Sequence, residues 1–299
     1  MALRPKLIPV MLLLLVCGGS RLLGEETNIV RFAVSAPYSS DDEIGRRFGF
    51  RPPLPEYSIA QEQFRLYVPH DYSTNEVWGV LIWLGTTDEA YLAPDWADEL
   101  ARRKVVVVTP FNCGPDRHPI DRLRLALDAT SNVCRRFRID RKRIYVGGFS
   151  EGARLASMLG IGCADIFTGT LCVCGANFYL HVPAGGGLYY PSSFTPSAEV
   201  LHFARQAGKY VLVTGDGDPG HDVLKMIAAN GFVRDGFKKV FFLDVPGLQH
   251  AMPGIGPLDQ ALDFLDEKHS SVPAAKPRPA NPGPVGQNDS RQKNSETEK

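Results

Sequence analysis

The stretch from Arg143 to Arg154 constrains the fold more than any other part of the chain. It reads Arg-Ile-Tyr-Val-Gly-Gly-Phe-Ser-Glu-Gly-Ala-Arg, so a β-type run meets a glycine-rich turn and a helix-type pattern follows at once. Ser150 stands at the apex, and Gly148 and Gly152 stand two residues to either side. A strained turn of this kind brings strand and helix so close that a Cβ at the flanking positions would collide. The alternative is an ordinary glycine-rich turn in which the serine only caps the helix.

The surrounding sequence alternates strand-type and helix-type segments. Strands are predicted at 63–68, 78–85, 104–109, 143–149, 168–175, 209–214 and 239–245, with an earlier one near 28–35, and helices at 121–137, 150–159, 222–230 and 258–266. Runs such as Val80-Leu81-Ile82-Trp83-Leu84 and Val105-Val106-Val107-Val108 are apolar on both faces. Such strands belong inside a sheet that is covered on both sides. The pattern therefore predicts an α/β protein with a mostly parallel central sheet and helices on both faces.

The two ends of the chain differ in composition from this central region. Arg4 and Lys6 precede a short apolar run and then small residues, which predicts a signal peptide over residues 1–24 and a secreted or periplasmic mature protein without a stable membrane span. Lipid attachment at Cys17 and an uncleaved anchor are minor alternatives. Residues 269–299 are rich in Pro, Ala, Asn, Ser and Lys, which is typical of a disordered tail. The folded domain is thus expected at residues 25–268.

Export would place the five remaining cysteines in an oxidising compartment. Bridges between Cys113 and Cys134, or between Cys163 and one of Cys172 and Cys174, are alternatives to buried free thiols. The sequence has no Cys-x-x-Cys or His-Glu-x-x-His pattern, and therefore no metal site is expected. It has 33 basic and 33 acidic residues, a balance that argues against a nucleic-acid partner.

A serine at such a turn is a candidate nucleophile, and it needs a base that is oriented by an acid. Candidates follow two further strands, and the carboxyl ends of parallel strands are where ligands bind. The strand at 209–214 is followed by Gly-Asp-Gly-Asp-Pro-Gly, where Asp218 is the preferred acid, Asp216 the second choice and Asp222 a distant third. The strand at 239–245 is followed by Pro-Gly-Leu-Gln-His, which makes His250 the preferred base over His221, His118 and His181.

Negative charge that develops on a substrate oxygen would need two backbone donors. The N–H of Glu151, directly after the serine, is the first candidate. The turn after the strand at 78–85 reads Leu84-Gly85-Thr86-Thr87, and the N–H of Thr86 is the second.

Three segments carry a resemblance to a known family: Phe64-Arg65-Leu66-Tyr67-Val68-Pro69, the stretch from Ile139 to Ser150, and Val245-Pro246-Gly247-Leu248-Gln249-His250. Over residues 63–266 the chain resembles the α/β-hydrolase superfamily. Within it, the chain resembles the secreted esterases that include polyhydroxyalkanoate depolymerase-like and feruloyl-esterase-like proteins. Two departures are Glu151, where a small residue is common, and Leu84-Gly85, where His-Gly is common.

The resemblance implies the three-layer α/β-hydrolase fold, with Ser150, Asp218 and His250 as the catalytic residues. It implies hydrolysis of a small-molecule or polymeric carboxylic ester through an acyl-serine intermediate, without a cofactor. A serine peptidase of the same fold and a catalytically inactive binding protein are the alternatives. The segment 177–200 is aromatic and glycine-rich, so it is either a flap over the substrate or a loop whose aromatic residues seal the core.

Overall fold

The computed structural model describes residues 26–267. The predicted signal peptide with Cys17 and the predicted tail both lie outside these residues. Within the described residues, none of the helices combines the length and apolar character that crossing a membrane requires.

The centre of the molecule is a sheet of eight strands, and a separate hairpin has two more. In chain order the strands are β1 (Glu26–Val30), β2 (Phe64–Val68), β3 (Trp78–Leu84), β4 (Val105–Pro110), β5 (Ile139–Phe149), β6 (Gly169–Val173), β7 (Val182–Gly185), β8 (Leu188–Tyr190), β9 (Lys209–Thr214) and β10 (Lys239–Asp244). The sheet order is β1-β2-β4-β3-β5-β6-β9-β10, and β7 pairs with β8 in the hairpin. Strand β2 is antiparallel to both of its neighbours, whereas β3, β4, β5, β6, β9 and β10 are parallel. The predicted strands of the sheet are confirmed, and the hairpin was not predicted.

Seven α-helices surround the sheet in the described part of the chain. They are α1 (Asp41–Phe48), α2 (Pro94–Arg102), α3 (Pro119–Arg136), α4 (Glu151–Gly162), α5 (Ala198–Ala207), α6 (His221–Met226) and α7 (Ile255–Leu265), and the segment Ile227–Val233 continues α6 as a π-helix. Sequence patterns predicted α3, α4, α6 and α7 within a few residues of these bounds. They did not predict α1, α2 and α5, which are eight, nine and ten residues long. Helix α1, for example, buries Ile44 and Phe48 and exposes Asp41 and Asp42, so tertiary packing stabilises it.

The sheet separates two hydrophobic cores, because alternate side chains of each strand point to opposite faces. Val80, Ile82 and Leu84 of β3 join the larger core, which also includes residues of α3 and α4. Leu81 and Trp83 join the second core with residues of α2 and α7. Helices therefore cover both faces, and every residue of β3 and β4 is buried. The expectation of a covered, mostly parallel sheet is confirmed.

Helix α3 is buried on its polar side as well as its apolar side. Asp128 is fully buried and accepts hydrogen bonds from the backbone N–H of Ala36, the Ser39 hydroxyl and the Tyr57 hydroxyl. Burial raises the pKa of Asp128, while these hydrogen bonds lower it, and burial prevails. The segment that precedes β2 thus covers a helix face that would otherwise be exposed to water.

The five cysteines of the described residues are all free. The Cys113 thiol lies beside Arg122 near the start of α3, whereas Cys134 lies 12 residues further along that helix. At 1.5 Å per residue this separation is about 18 Å, which is too far for a bridge. Burial raises the pKa of the Cys163 thiol to about 12, and it also raises the pKa of Cys172. Both are therefore neutral, buried side chains.

Candidate active site

Ser150 lies in a strained turn between the end of β5 and the start of α4. Its backbone angles are φ 52° and ψ −114°, a region that L-residues rarely occupy. The backbone N–H of Ser150 donates to the carbonyl of Val173 at the end of the adjacent strand β6, with an N···O distance of 2.8 Å. This bond and the close packing around the turn hold the serine in a conformation that is costly in isolation.

The glycines around Ser150 are required by this packing. A Cβ on Gly148 would overlap the backbone of Gly152, and a Cβ on Gly152 would overlap the carbonyl of Leu84 at the end of β3. A Cβ on Gly175 would lie 2.6 Å from the carbonyl oxygen of Ser150. The predicted steric reason for glycine at positions 148 and 152 is confirmed.

The structure brings Ser150, His250 and Asp218 into one hydrogen-bonded chain. His250 Nε2 lies 2.9 Å from Ser150 Oγ, and His250 Nδ1 lies 2.9 Å from Asp218 Oδ1. The side chain of Asp218 is fully buried, whereas that of His250 is 44% exposed. A buried carboxylate thus orients an imidazole whose other nitrogen faces a solvent-accessible hydroxyl.

Asp218 is held as a carboxylate by several donors. Burial by itself raises the pKa of Asp218. The backbone N–H of Gly220, the His250 ring and the Thr214 hydroxyl donate to its carboxylate, and these hydrogen bonds bring the pKa below its ordinary value. The Gly220 bond is 3.0 Å and the Thr214 bond is 2.8 Å. Asp218 is therefore ionised at neutral pH.

The alternative acids face elsewhere. Asp216 is exposed and accepts a 2.6 Å hydrogen bond from the backbone N–H of Gly247. The side chain of Asp222 is 98% exposed and lies 3.1 Å from His221 Nδ1. Neither carboxylate is hydrogen-bonded to His250.

The alternative histidines also have other partners. His221 lies between Asp222 and Asp244, and hydrogen bonding to Asp244 raises its pKa. His118 caps α3 by accepting from the N–H of Ile120, and His181 accepts from the N–H of Ser192. Of the four candidate bases, His250 is the one that contacts Ser150.

Glu151 and Thr86 lie on the two segments that adjoin the serine. Glu151 is the first residue of α4, and its side chain pairs with Arg154 at 3.1 Å. Leu84 of β3 lies beside Gly148 of β5 in the sheet. Thr86 is two residues after Leu84, and Ser150 is two residues after Gly148. The turn that contains Thr86 thus leaves the sheet next to the turn that contains Ser150.

One group of side chains among residues 26–267 has the donor set of a metal site. Ligand atoms of Cys174, Asp218 and His250 all lie within 4.8 Å of one another. Burial and the neighbouring Asp218 carboxylate together raise the pKa of the Cys174 thiol to about 12. Because Asp218 is hydrogen-bonded to His250, and His250 in turn to Ser150, these hydrogen bonds account for the cluster.

A pocket of about 490 Å³ opens beside Glu151. Its walls come from four parts of the chain: the loop before β2 (Phe50, Arg51, Pro53, Leu54, Pro55), the start of α3 (His118, Pro119, Ile120, Arg122), the start of α4 (Glu151, Arg154, Leu155, Met158) and the segment 177–200 (Asn177, Ser193). Phe178, Tyr179 and Phe194 of that last segment are buried in the core. The aromatic residues therefore mainly seal the core, and only two polar residues of the segment face the pocket.

Sequence reasoning missed several of these residues. Thr214 and Cys174 lie beside Asp218. Thr214 ends β9 and Cys174 follows β6, so their position at the carboxyl edge of the sheet could have identified both. Arg122 and the loop 50–55 carry no recognisable signal, because contacts distant in sequence bring them to the pocket.

Solved structures with a similar fold include two esterases and a candidate peptidase. A feruloyl esterase module from Clostridium thermocellum, complexed with sinapinate, is 12% identical, with a TM-score of 0.52, over 81% of this chain and 86% of that one. A fungal esterase from Rhizomucor miehei is 14% identical, with a TM-score of 0.54, over 82% of this chain and 84% of that one. A candidate dipeptidyl aminopeptidase IV from Bacteroides ovatus is 14% identical, with a TM-score of 0.53, over 81% of this chain but only 35% of that one.

The chain spans about a third of that peptidase and 61% of a thermostable esterase with a TM-score of 0.51. No protein-family model matches the sequence, and no curated protein matches it. At these identities the structural likeness shows the fold alone. Together with the sheet order, it confirms the α/β-hydrolase fold, with helices on both faces of a mostly parallel sheet.

Proposed function

We propose that the protein is a serine hydrolase that cleaves carboxylic esters, with Ser150 as nucleophile, His250 as general base and Asp218 as the acid that orients it. Ser150 Oγ attacks the ester carbonyl carbon while His250 Nε2 takes the hydroxyl proton. The carbon–oxygen bond to the alcohol then breaks, and the alcohol leaves with the proton from His250. Water, deprotonated by the same imidazole, attacks the acyl-serine and releases the carboxylic acid and the free serine.

The tetrahedral intermediates carry negative charge on the former carbonyl oxygen. We assign its stabilisation to the backbone N–H groups of Glu151 and Thr86. Because Glu151 opens α4, the positive end of the helix dipole also faces this oxygen. The close contact of Gly152 with Leu84 supports this assignment, since it fixes the two turns against each other.

The hydrogen-bonded chain from Ser150 through His250 to Asp218 is the observation that carries the proposal. The esterases of similar fold support ester substrates and are consistent with the feruloyl-esterase-like branch. The candidate peptidase of similar fold supports the second candidate, a serine peptidase. Secretion remains a proposal that rests on the N-terminal sequence.

A fluorophosphonate probe tests the nucleophile directly. We expect the probe to label the wild-type protein once, at Ser150, and to leave Ser150→Ala unlabelled, as read by mass spectrometry of the intact protein and its peptides. Ser157→Ala is a matched control that should still be labelled, since Ser157 is a buried residue further along α4. A folded wild-type protein that resists labelling would favour the inactive binding protein instead.

Substrate assays then separate ester from peptide cleavage. We expect hydrolysis of p-nitrophenyl acetate or butyrate by the wild type and none by Ser150→Ala, with little turnover of dipeptidyl p-nitroanilides. Faster turnover of the anilides than of the esters would support the peptidase.

A further inference from the structure

Arg122 is a buried guanidinium without an anionic partner. It is 2% exposed, and its Nε has no hydrogen-bond partner in the structure. One Nη2 contact reaches the carbonyl oxygen of Gly85 at 3.5 Å, which is long for a hydrogen bond. No carboxylate in the part of the chain that the structure describes forms an ion pair with it, and the neighbouring Asp121 faces Arg117 and Arg124 instead.

Other buried arginines of the described residues are paired. Arg47 binds Asp165 through two hydrogen bonds, and Arg103 binds Glu99 and Asp263. Burying an unpaired charge is costly, so proteins normally pair a buried guanidinium or keep it for a ligand. The Cys113 thiol, which lies beside Arg122, stays neutral because burial raises its pKa although Arg122 lowers it. Among residues 26–267, Arg122 therefore lacks an anionic partner.

Arg122 lines the pocket beside Glu151, the residue that follows Ser150, and two further arginines share that pocket. Arg51 and Arg154 are on its walls, and Glu151 is its one acidic residue. The Arg154 charge is offset by Glu151 at 3.1 Å, which leaves Arg122 and Arg51 uncompensated. Much of the remaining wall is apolar, with Leu54, Leu155 and Met158, and Asn177 and Ser193 add neutral polar groups. An apolar cleft with an unpaired guanidinium is suited to a ligand that has a hydrocarbon body and a carboxylate.

We infer that this pocket selects esters that carry a carboxylate in addition to the ester group, and that Arg122 binds that carboxylate. The inference rests on the proposed ester hydrolysis at Ser150 and names its substrate class. A guanidinium matches a carboxylate with two parallel N–H···O bonds, a geometry that lysine does not reproduce. Arg122 is thus a specificity-determining residue, and it takes no part in the proton transfers.

Two pairs of substrates test the inference. In the first pair, monoethyl adipate carries the anion in its acyl part, and ethyl hexanoate is its neutral analogue with the same six-carbon acyl chain. In the second pair, 4-carboxyphenyl butyrate carries the anion in its alcohol part, and 4-acetylphenyl butyrate is neutral. For at least one pair we expect kcat/KM at low salt to be about tenfold or more higher for the anionic ester.

The variants Arg122→Met and Arg122→Lys should lower this preference, the first by about tenfold or more and the second by less. Arg141→Met is the matched control. It removes the same charge from an exposed position near the start of β5, at the end of that strand away from Ser150. Its preference for the anionic ester should stay at the wild-type value. Absence of a preference for the anion in both pairs, or an unchanged preference in Arg122→Met, would overturn the inference.

Binding without turnover separates this inference from the proposed function. In Ser150→Ala, calorimetry should show that the anionic ester of the preferred pair binds more tightly than its neutral partner, and that Arg122→Met removes the difference. If the anionic ester binds through Arg122 but the wild type does not hydrolyse it, carboxylate binding by Arg122 is supported and the proposed ester hydrolysis is refuted. If the wild type hydrolyses neutral esters and shows no preference for the anion, ester hydrolysis is supported and carboxylate binding by Arg122 is refuted.

Discussion

Gly152 packs directly on the carbonyl group of Leu84, which joins the first turn of α4 to the end of β3. These are the two segments to which the oxyanion donors are assigned. An added methyl group at Gly152 cannot fit without moving the Leu84–Thr86 turn, because the obstructing atoms belong to the backbone.

Gly152→Ala should therefore lower kcat for ester hydrolysis by about 100-fold or more, since displacement of a reacting geometry by about 1 Å costs that much. Steady-state kinetics with p-nitrophenyl butyrate gives the value. Gly256→Ala is the control: its Cβ meets open space in the first turn of α7, so activity and stability should stay near wild type. Full activity of Gly152→Ala would show that the two turns need no fixed contact.

The orienting role of Asp218 predicts a large loss in Asp218→Asn. The amide keeps the shape but removes the charge that stabilises the imidazolium, so kcat should fall by about 10⁴-fold. Asp216→Asn is the matched control two residues away. It should lose less than about threefold, because Asp216 is exposed and accepts from the Gly247 N–H on the surface. Equal losses in the two variants would contradict the assignment of the acid.

Thr214 acts on the reaction through Asp218. Thr214→Val removes a 2.8 Å hydrogen bond to Asp218 Oδ2, so the buried carboxylate loses one of its donors and its pKa should rise. We expect kcat to fall about tenfold, with much of it restored in Thr214→Ser, which returns the hydroxyl. The acid limb of the pH–rate profile should move to higher pH in Thr214→Val only. A purely structural role for Thr214 would leave that limb in place.

The lowered pKa of Asp218 also predicts a pH dependence of stability. Its folded pKa lies below the unfolded value of about 3.9, so its ionisation stabilises the fold above that pH. This contribution is lost as the pH falls from about 4 through the folded pKa. Urea unfolding of wild type and Asp218→Asn at pH 3 and pH 6 measures it. The wild type should lose more stability than the variant between these pH values, and equal losses would refute the linkage.

The buried acceptor Asp128 predicts a large loss of stability on substitution outside the candidate active site. Asp128→Ala leaves the Ala36 N–H and the Ser39 and Tyr57 hydroxyls without their acceptor, which should cost about 2–4 kcal/mol of unfolding free energy. Denaturant melts give this value. Asp42→Ala, at an exposed position of α1, should change it by less than about 0.5 kcal/mol. A small effect at Asp128 would mean that the segment 36–57 contributes little to stability.

Local patterns predicted the part of the fold that local interactions decide. The apolar runs of β3 and β4 and the turn at Ser150 were recognisable, because backbone periodicity and steric demand leave few residue choices there. Asp218 and His250 were found because each follows a strand at the expected edge of the sheet. Helices α1, α2 and α5 were missed because their stability comes from packing against distant segments.

Contacts between residues distant in sequence account for the features that the sequence did not predict. Ile120, Leu123 and Leu127 lie on one helical face of α3, and the charged residues of such a helix would ordinarily face water. Arg122 and Asp128 are instead buried, and the partners of Asp128 precede it by as much as 92 residues. A pattern read along one helix cannot show that another segment will cover its polar side.

Apart from the start of α4, the pocket walls and the proposed reacting groups belong to different stretches of the chain. Ser150, Asp218 and His250 follow strands of the sheet, whereas the loop 50–55, the start of α3 and the segment 177–200 form most of the pocket. Replacing those stretches should change which molecules enter the pocket, while the hydrogen-bonded chain to which we assign the chemistry stays unchanged. The architecture is therefore modular, and a diversified library confined to the pocket segments should yield new selectivities on an unchanged reaction.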